Sequence, residues 1–252
     1  MKPIAIQLYT VRDLCAQDFK GTIKRIADIG YRGIEIGGTG GMTTKELRAF
    51  TDDLGIAICC GHGGLPTPET VDQIVDDCNV LGAKFVVSGV GPGDVNTMDG
   101  VKATAGKFQT SAELLKPSGL KFVFHNHWWE FLKVDGKVPY EIILDLAPDA
   151  FSELDVYWCA FGGDDPAKVL KEHGKRVPLL HVKDGPLTGD PPDPHTAVGK
   201  GKVDMPAVFS AADPNVAEWA IVELDFCKTD MMQAVVDSYT YLTSNGLAAG
   251  SK

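Results

Sequence analysis

Short, β-branched apolar runs alternate with amphipathic stretches along the whole chain. The runs predict strands at residues 4–10, 33–37, 56–62, 85–90, 121–127, 152–158, 178–184 and 219–225. Between them, apolar residues recur at helical spacing with the expected punctuation. Asp18 caps a helix that stops at Gly30, Thr44 opens one ended by Gly55, and Pro68 sits in the first turn of one ended by Gly82. Further helices are predicted at 101–116, 139–147, 165–173, 204–212 and 231–245.

Strand text such as KFVVSGV and VPLLHV is apolar almost throughout, which marks a parallel sheet covered by helices. Eight such units in 252 residues match a closed (β/α)8 barrel of the α/β class. An open, doubly wound sheet would want a glycine-rich turn after its first strand, and VRDLC stands there instead. No linker divides the chain, so residues 1–252 read as one domain. The stretch TGDPPDPH (188–195) reads as a long loop after strand seven.

Composition narrows the function classes. With 44% apolar and 23% charged residues, disorder and fibrous repeats are poor readings. No apolar run approaches the ~18 residues that cross a bilayer, and MKPIAIQLYTVRD opens as a strand rather than a signal peptide, so no membrane role is expected. A net charge of −10 argues against a nucleic-acid surface. The six cysteines show no CxxC pairing and read as thiols in a reducing compartment, with the cytoplasm as the expected location. Cys59 and Cys60 are expected on opposite faces of their strand. The sequence is compatible with a homo-oligomer.

In such a barrel, chemistry gathers at the C-terminal ends of the strands. Those ends carry Gln7 and Tyr9, Glu35, His62, Ser88, His125 with Asn126 and His127, Asp155, His181 with Lys183, and Glu223 with Asp225; Glu130 lies just beyond strand five. Packing alone does not explain a polar group on nearly every strand. Asp155 and Glu223 stand inside apolar text (SELDVYW, WAIVELDF), where an unpaired buried charge is costly. A divalent cation held by carboxylate and imidazole is the economical compensation, and Zn²⁺, Mn²⁺, Co²⁺ or Mg²⁺ would accept that set. Trp128, Trp129 and Trp158 flank the site, either stacking on a sugar face or packing the rim. The glycine-rich GVGPGD and GKGKVD lack Walker spacing and either approach a sugar or phosphate closely or simply turn. His195 has no assigned role.

Taken together, IQLYTVRD, GIEIGG, FHNHWWEF, ELDVYWCAFGGDDP, LLHVKD, GKGKVD and VELDF resemble, in order and over essentially the whole chain, the xylose isomerase-like TIM-barrel superfamily, and within it the sugar phosphate isomerase/epimerase group. The resemblance implies one divalent ion on ligands from strands five to eight. Asp155, His181 and Glu223 match three of them. The strand-five glutamate is missing from its usual place, so either Glu130 reaches back as the fourth ligand, the preferred expectation, or His125 or His127 takes it.

The implied activity is isomerisation or epimerisation of a keto-sugar or sugar phosphate by proton transfer next to a metal-polarised carbonyl. Glu223, His125 and His127 are then the catalytic candidates, and Gln7, Glu35, His62, Trp158 and Lys183 the substrate-binding ones, with Glu35 and His62 expected to hold sugar hydroxyls and Lys183 to neutralise an oxyanion or bind a phosphate. With histidines in place of the strand-five glutamate, a lyase, dehydratase or hydrolase acting on a 3-keto-sugar or an inositol-type substrate is the alternative. The superfamily's DNA-repair chemistry would need a three-zinc cluster and a basic groove, which six histidines and this net charge do not suit. A sugar-binding barrel with a decayed site is disfavoured by the three matched ligands.

Overall fold

A computed structural model describes residues 1–252. Eight parallel strands, β1 (Lys2–Gln7), β2 (Gly33–Ile36), β3 (Ala57–His62), β4 (Phe85–Ser88), β5 (Lys121–His125), β6 (Phe151–Asp155), β7 (Leu179–Val182) and β8 (Trp219–Val222), pair in chain order. β8 returns to β1, so the sheet closes into a (β/α)8 TIM barrel. No helix is long and apolar enough to cross a membrane.

The predicted helices are present, with two additions, the short α1 (Arg12–Gln17) and a short helix that replaces the end of predicted strand six, and with Pro68 in the turn before its helix rather than in the first helical turn. α2 (Phe19–Ile29) is capped by Asp18, whose carboxylate accepts from Gly21 N, and α3 (Thr44–Asp53) opens on a Thr43/Glu46 capping box. α4 (Val71–Leu81) ends at Gly82 in the left-handed conformation. α5 (Met98–Leu115), α6 (Pro139–Leu146), α7 (Val156–Phe161), α8 (Pro166–His173), α9 (Met205–Ala211) and α10 (Met231–Ser244) complete the ring. Outside the barrel, β9 (Ala248–Ala249) pairs with Lys2 and Pro3.

Most predicted strands run two or three residues too far at their C-terminal ends, where the chain leaves the sheet to carry its polar groups. Strand six is the clearest case: it ends at Asp155, whose carboxylate accepts from Trp158 N at 2.8 Å and starts α7. The cysteine expectation also fails. The pairing of β2 with β3 shifts register between Ile34 and Glu35, so Cys59 and Cys60 both join the small core inside the barrel, with sulfurs 3.6 Å apart. That inner core (Ala5, Phe85, Val87, Val123, Leu179 and Ile221 with the two cysteines) fills the lower barrel, while a larger one lies between sheet and helices. The register then sets Gln7 beside Glu35, His125 beside Glu153 and Asp155 beside His181.

Candidate active site at the barrel mouth

Residues two apart on a strand share a face, so the inward rows continue upward from the apolar layer into a polar one. Four of these side chains converge: His125, Asp155, His181 and Glu223 bring one donor atom each within 4.8 Å of one another, all four residues buried. His181 stands at the centre. Its Nδ1 lies 2.9 Å from Glu223 Oε2 and its Nε2 lies 2.8 Å from Glu35 Oε2.

Glu35 is fully buried and fully engaged. Besides His181 it accepts from Gln7 Nε2 at 2.6 Å and meets His62 Nδ1 at 2.9 Å. It therefore orients other groups and does not line the cavity at the barrel mouth, where the expected contact with sugar hydroxyls would place it; Gln7 and His62 do line that cavity. Burial pushes the Glu35 carboxyl up, but the His181 and His62 contacts outweigh it and hold it low. Glu153, which is not among the strand-tip candidates, stands 3.1 Å from His181 Nε2 and 3.4 Å from His125 Nδ1, and neither of its oxygens has a hydrogen-bond partner. Burial and the Glu35 charge push it up to about 8. The sequence carries a signal for it: Glu153 lies two residues before Asp155, on the same face.

Lys183 is also fully buried. Its Nζ lies 2.9 Å from Asp155 Oδ2, 2.8 Å from Glu223 Oε2 and 2.8 Å from Asp225 Oδ2. Three carboxylates around one ammonium make it an internal counter-ion, so it is not at the cavity wall where an oxyanion or phosphate contact was expected. Trp158 is likewise withdrawn, buried with its ring centre 4.7 Å from Trp128 and 4.9 Å from Lys183 Nζ. The unassigned His195 packs beside it, and its Nδ1 accepts from Asp225 N at 3.1 Å, pinning the end of β8.

Glu130 stands apart from the converging group. Its Oε2 accepts from His127 N at 2.8 Å, closing the turn after β5, and its Oε1 is buried without a partner. Burial pushes its carboxyl up to about 8, only partly offset by that N–H. The turn holds the carboxyl on the backbone of His127, and the fourth place in the group goes to His125. His127 has an unpartnered Nδ1, and burial followed by the Lys183 charge pulls its pKa down to about 3. His62 is held above its usual value, because the Glu35 contact outweighs burial.

The GKGKVD loop resolves into a turn around an internal anion. The Asp184 carboxylate accepts from the backbone N–H groups of Gly185, Gly199, Gly201 and Val203 at 2.9–3.2 Å. A Cβ at Gly201 would stand 2.0 Å from Asp184 Oδ1, so glycine is required there. These N–H groups are spent on Asp184 and offer no phosphate cradle. In GVGPGD, Gly91 N donates to Asp94 Oδ2, again a local turn.

A cavity of about 630 Å³ opens on the group. Gln7, His62, His125, His127, Glu223 and Asp225 face it from the barrel, opposite a wall from the β1–α2 segment. The donor set suits a divalent cation: two imidazoles and two carboxylates are hard to borderline ligands, His125 Nδ1 is buried with no hydrogen-bond partner, and Asp155 Oδ2 is met by the Lys183 ammonium alone. Lys183 neutralises only part of the surrounding negative charge.

Comparison with known proteins fits this geometry. The chain is 25% identical over 246 residues to an inosose dehydratase of Clostridium perfringens, a match covering 82% of each. Its fold superposes with TM-score 0.82 on a sugar phosphate isomerase/epimerase from Parabacteroides distasonis, at 24% identity over 98% of this chain and 96% of that one. It superposes with TM-score 0.74 on the IOLI protein with a bound zinc atom, at 16% identity over 98% of both. The family model for the xylose isomerase-like TIM barrel matches residues 23–231, and the chain belongs to that family.

Proposed function

We propose that this protein is a divalent-metal-dependent lyase of the dehydratase type, removing a proton next to the ketone of a keto-sugar or keto-cyclitol and expelling water. The observation that carries the reading is the convergence of His125, Asp155, His181 and Glu223 beside a cavity lined by further acid/base groups. A cation on these four residues would polarise the substrate carbonyl and stabilise the negative charge that develops on its oxygen. His127, whose ring lines the cavity, accepts the proton; His62, fixed through Nδ1 by Glu35, lines the same cavity and gives a proton to the departing hydroxyl, which leaves as water. Gln7 orients hydroxyls, and Glu35 holds His181 in position. The similarity to an inosose dehydratase supports water loss as the outcome.

Isomerisation or epimerisation is the second reading, favoured by the close superposition on a sugar phosphate isomerase/epimerase. The two share the first proton abstraction and differ in whether water then leaves or a proton returns to carbon. Incubating the Mn²⁺-loaded protein with an inosose and with 3-keto-glucose in D₂O separates them. A product lighter than the substrate by one water supports the dehydratase, whereas deuterium incorporation with all hydroxyls retained supports the epimerase. No exchange and no product with either substrate overturns both.

A further inference from the structure

The cavity is two-faced. Its histidines and carboxylates all lie on the barrel side, and its outer wall is built by Leu8, Tyr9, Cys15, Ala16 and Phe19 around Arg12. Arg12 makes no ion pair there: its guanidinium sits 4.1 Å from the Tyr9 ring centre and donates to Tyr9 O. Tyr9 remains 52% exposed inside a concave site, with the Arg12 guanidinium over its ring and no aromatic side chain stacked on it.

The glycines at the end of β2 add a separate observation. Gly40 needs its left-handed backbone, and a Cβ there would enter the Phe19 ring. Gly37 and Gly38 have no such requirement. Neither has a positive φ, a Cβ on Gly38 would meet nothing, and one on Gly37 only ordinary contact. Both line the cavity, so their missing side chains serve to keep it open. A volume of 630 Å³ lies in the range that takes drug-sized ligands, ~300–1,000 Å³, and exceeds the need of one hexose ring. A sugar hydroxyl against Leu8 and Phe19 would go unpaired.

From these features we infer that the outer half of the cavity is a subsite for a flat apolar substituent carried by the sugar ring, so that the substrate is a glycoside with an aromatic aglycone. The inference rests on the keto-sugar reading above for what occupies the inner half. Tyr9 and Arg12 form the stacking platform, Leu8 and Phe19 the apolar side, and Gly37 and Gly38 the open side.

Phenyl and methyl β-D-glucopyranoside, which bind without reacting, test this against the Mn²⁺-loaded full chain by ligand-observed NMR titration. The phenyl glycoside should bind at least roughly tenfold tighter, as expected for burying one ring face. The advantage should vanish in Gly38→Val, whose Cβ has no protein atom within 4 Å and whose side chain takes up chamber volume, while Mn²⁺ affinity stays unchanged. Tyr9→Ala should lose most of it. Equal or undetectable binding of the two glycosides, an advantage that survives Gly38→Val, or glucose 6-phosphate binding tighter than the phenyl glycoside through Arg12 would each overturn the inference. Deuterium exchange on a keto-sugar without an aryl preference leaves the chemistry standing and removes the subsite. An aryl preference without exchange does the reverse.

Discussion

Lys183 and Asp155 stand 2.9 Å apart with both side chains shut off from solvent, and the same ammonium serves Glu223 and Asp225. Taking one partner from such a buried group leaves uncompensated charge, a cost of about 3–5 kcal/mol. Lys183→Met should therefore lower the melting temperature of the metal-free protein by roughly 10 °C. Mn²⁺ should restore more of that loss than it adds to the wild type, because a dication meets the same carboxylates. Thermal denaturation with and without metal measures both quantities; an unchanged metal-free melting temperature would contradict the counter-ion role.

His125 and Glu130 make opposite predictions about metal. His125→Ala should weaken Mn²⁺ binding by more than the roughly 10–100-fold that outer partners are worth. Glu130→Gln, which leaves an oxygen for His127 N, should keep affinity within a few-fold. Isothermal titration calorimetry on the two variants decides between them, and the reverse order would return Glu130 to the coordination sphere.

Glu35→Gln should act at a distance. The amide retains one acceptor oxygen where the carboxylate serves Gln7, His62 and His181, so the grip on His181 Nε2 is lost or its donor is opposed. Metal affinity should fall roughly 10–100-fold with the fold intact, read by calorimetry beside circular dichroism.

Stability should respond to pH at two buried groups with opposite signs. His195 is held neutral, its pKa pulled down to about 3 by burial and then by Lys183, against 6.5 in the unfolded chain. Between those values the unfolded state binds the extra proton, so this contribution is complete above pH 6.5 and drains away as pH falls toward 3. Glu130, raised to about 8 from 4.5, keeps its proton when folded, so its contribution is complete below pH 4.5 and is lost as pH rises toward 8. Urea midpoints at pH 5 and 8 should show a shallower acid loss in His195→Asn and a relative gain at pH 8 in Glu130→Gln. Parallel curves for either variant would refute its assignment.

Much of this architecture is legible in residue order. Strand positions and helix caps come from period-two and helical spacing, which are local properties, while Asp155, His181 and Glu223 stand out as polar residues in apolar strand text and through the order of the motifs that carry the family resemblance. The features that escape depend on contacts across the barrel. Glu153 is legible in principle from its parity with Asp155, but it sits one layer deeper than the strand tips. The fate of Lys183 depends on which way a long side chain turns, and that of Glu130 on a three-residue turn. The β2–β3 register shift that brings both cysteines inward has no signature in the text of either strand.

The tie between Lys2–Pro3 and Ala248–Ala249 has a practical corollary. Both chain ends are moored beside the first residues of β1, at the pole of the barrel opposite the strand tips. Protein anchored to a bead or sensor surface through either end would present its opening to the bulk liquid, leaving the approach of small molecules unobstructed by the support.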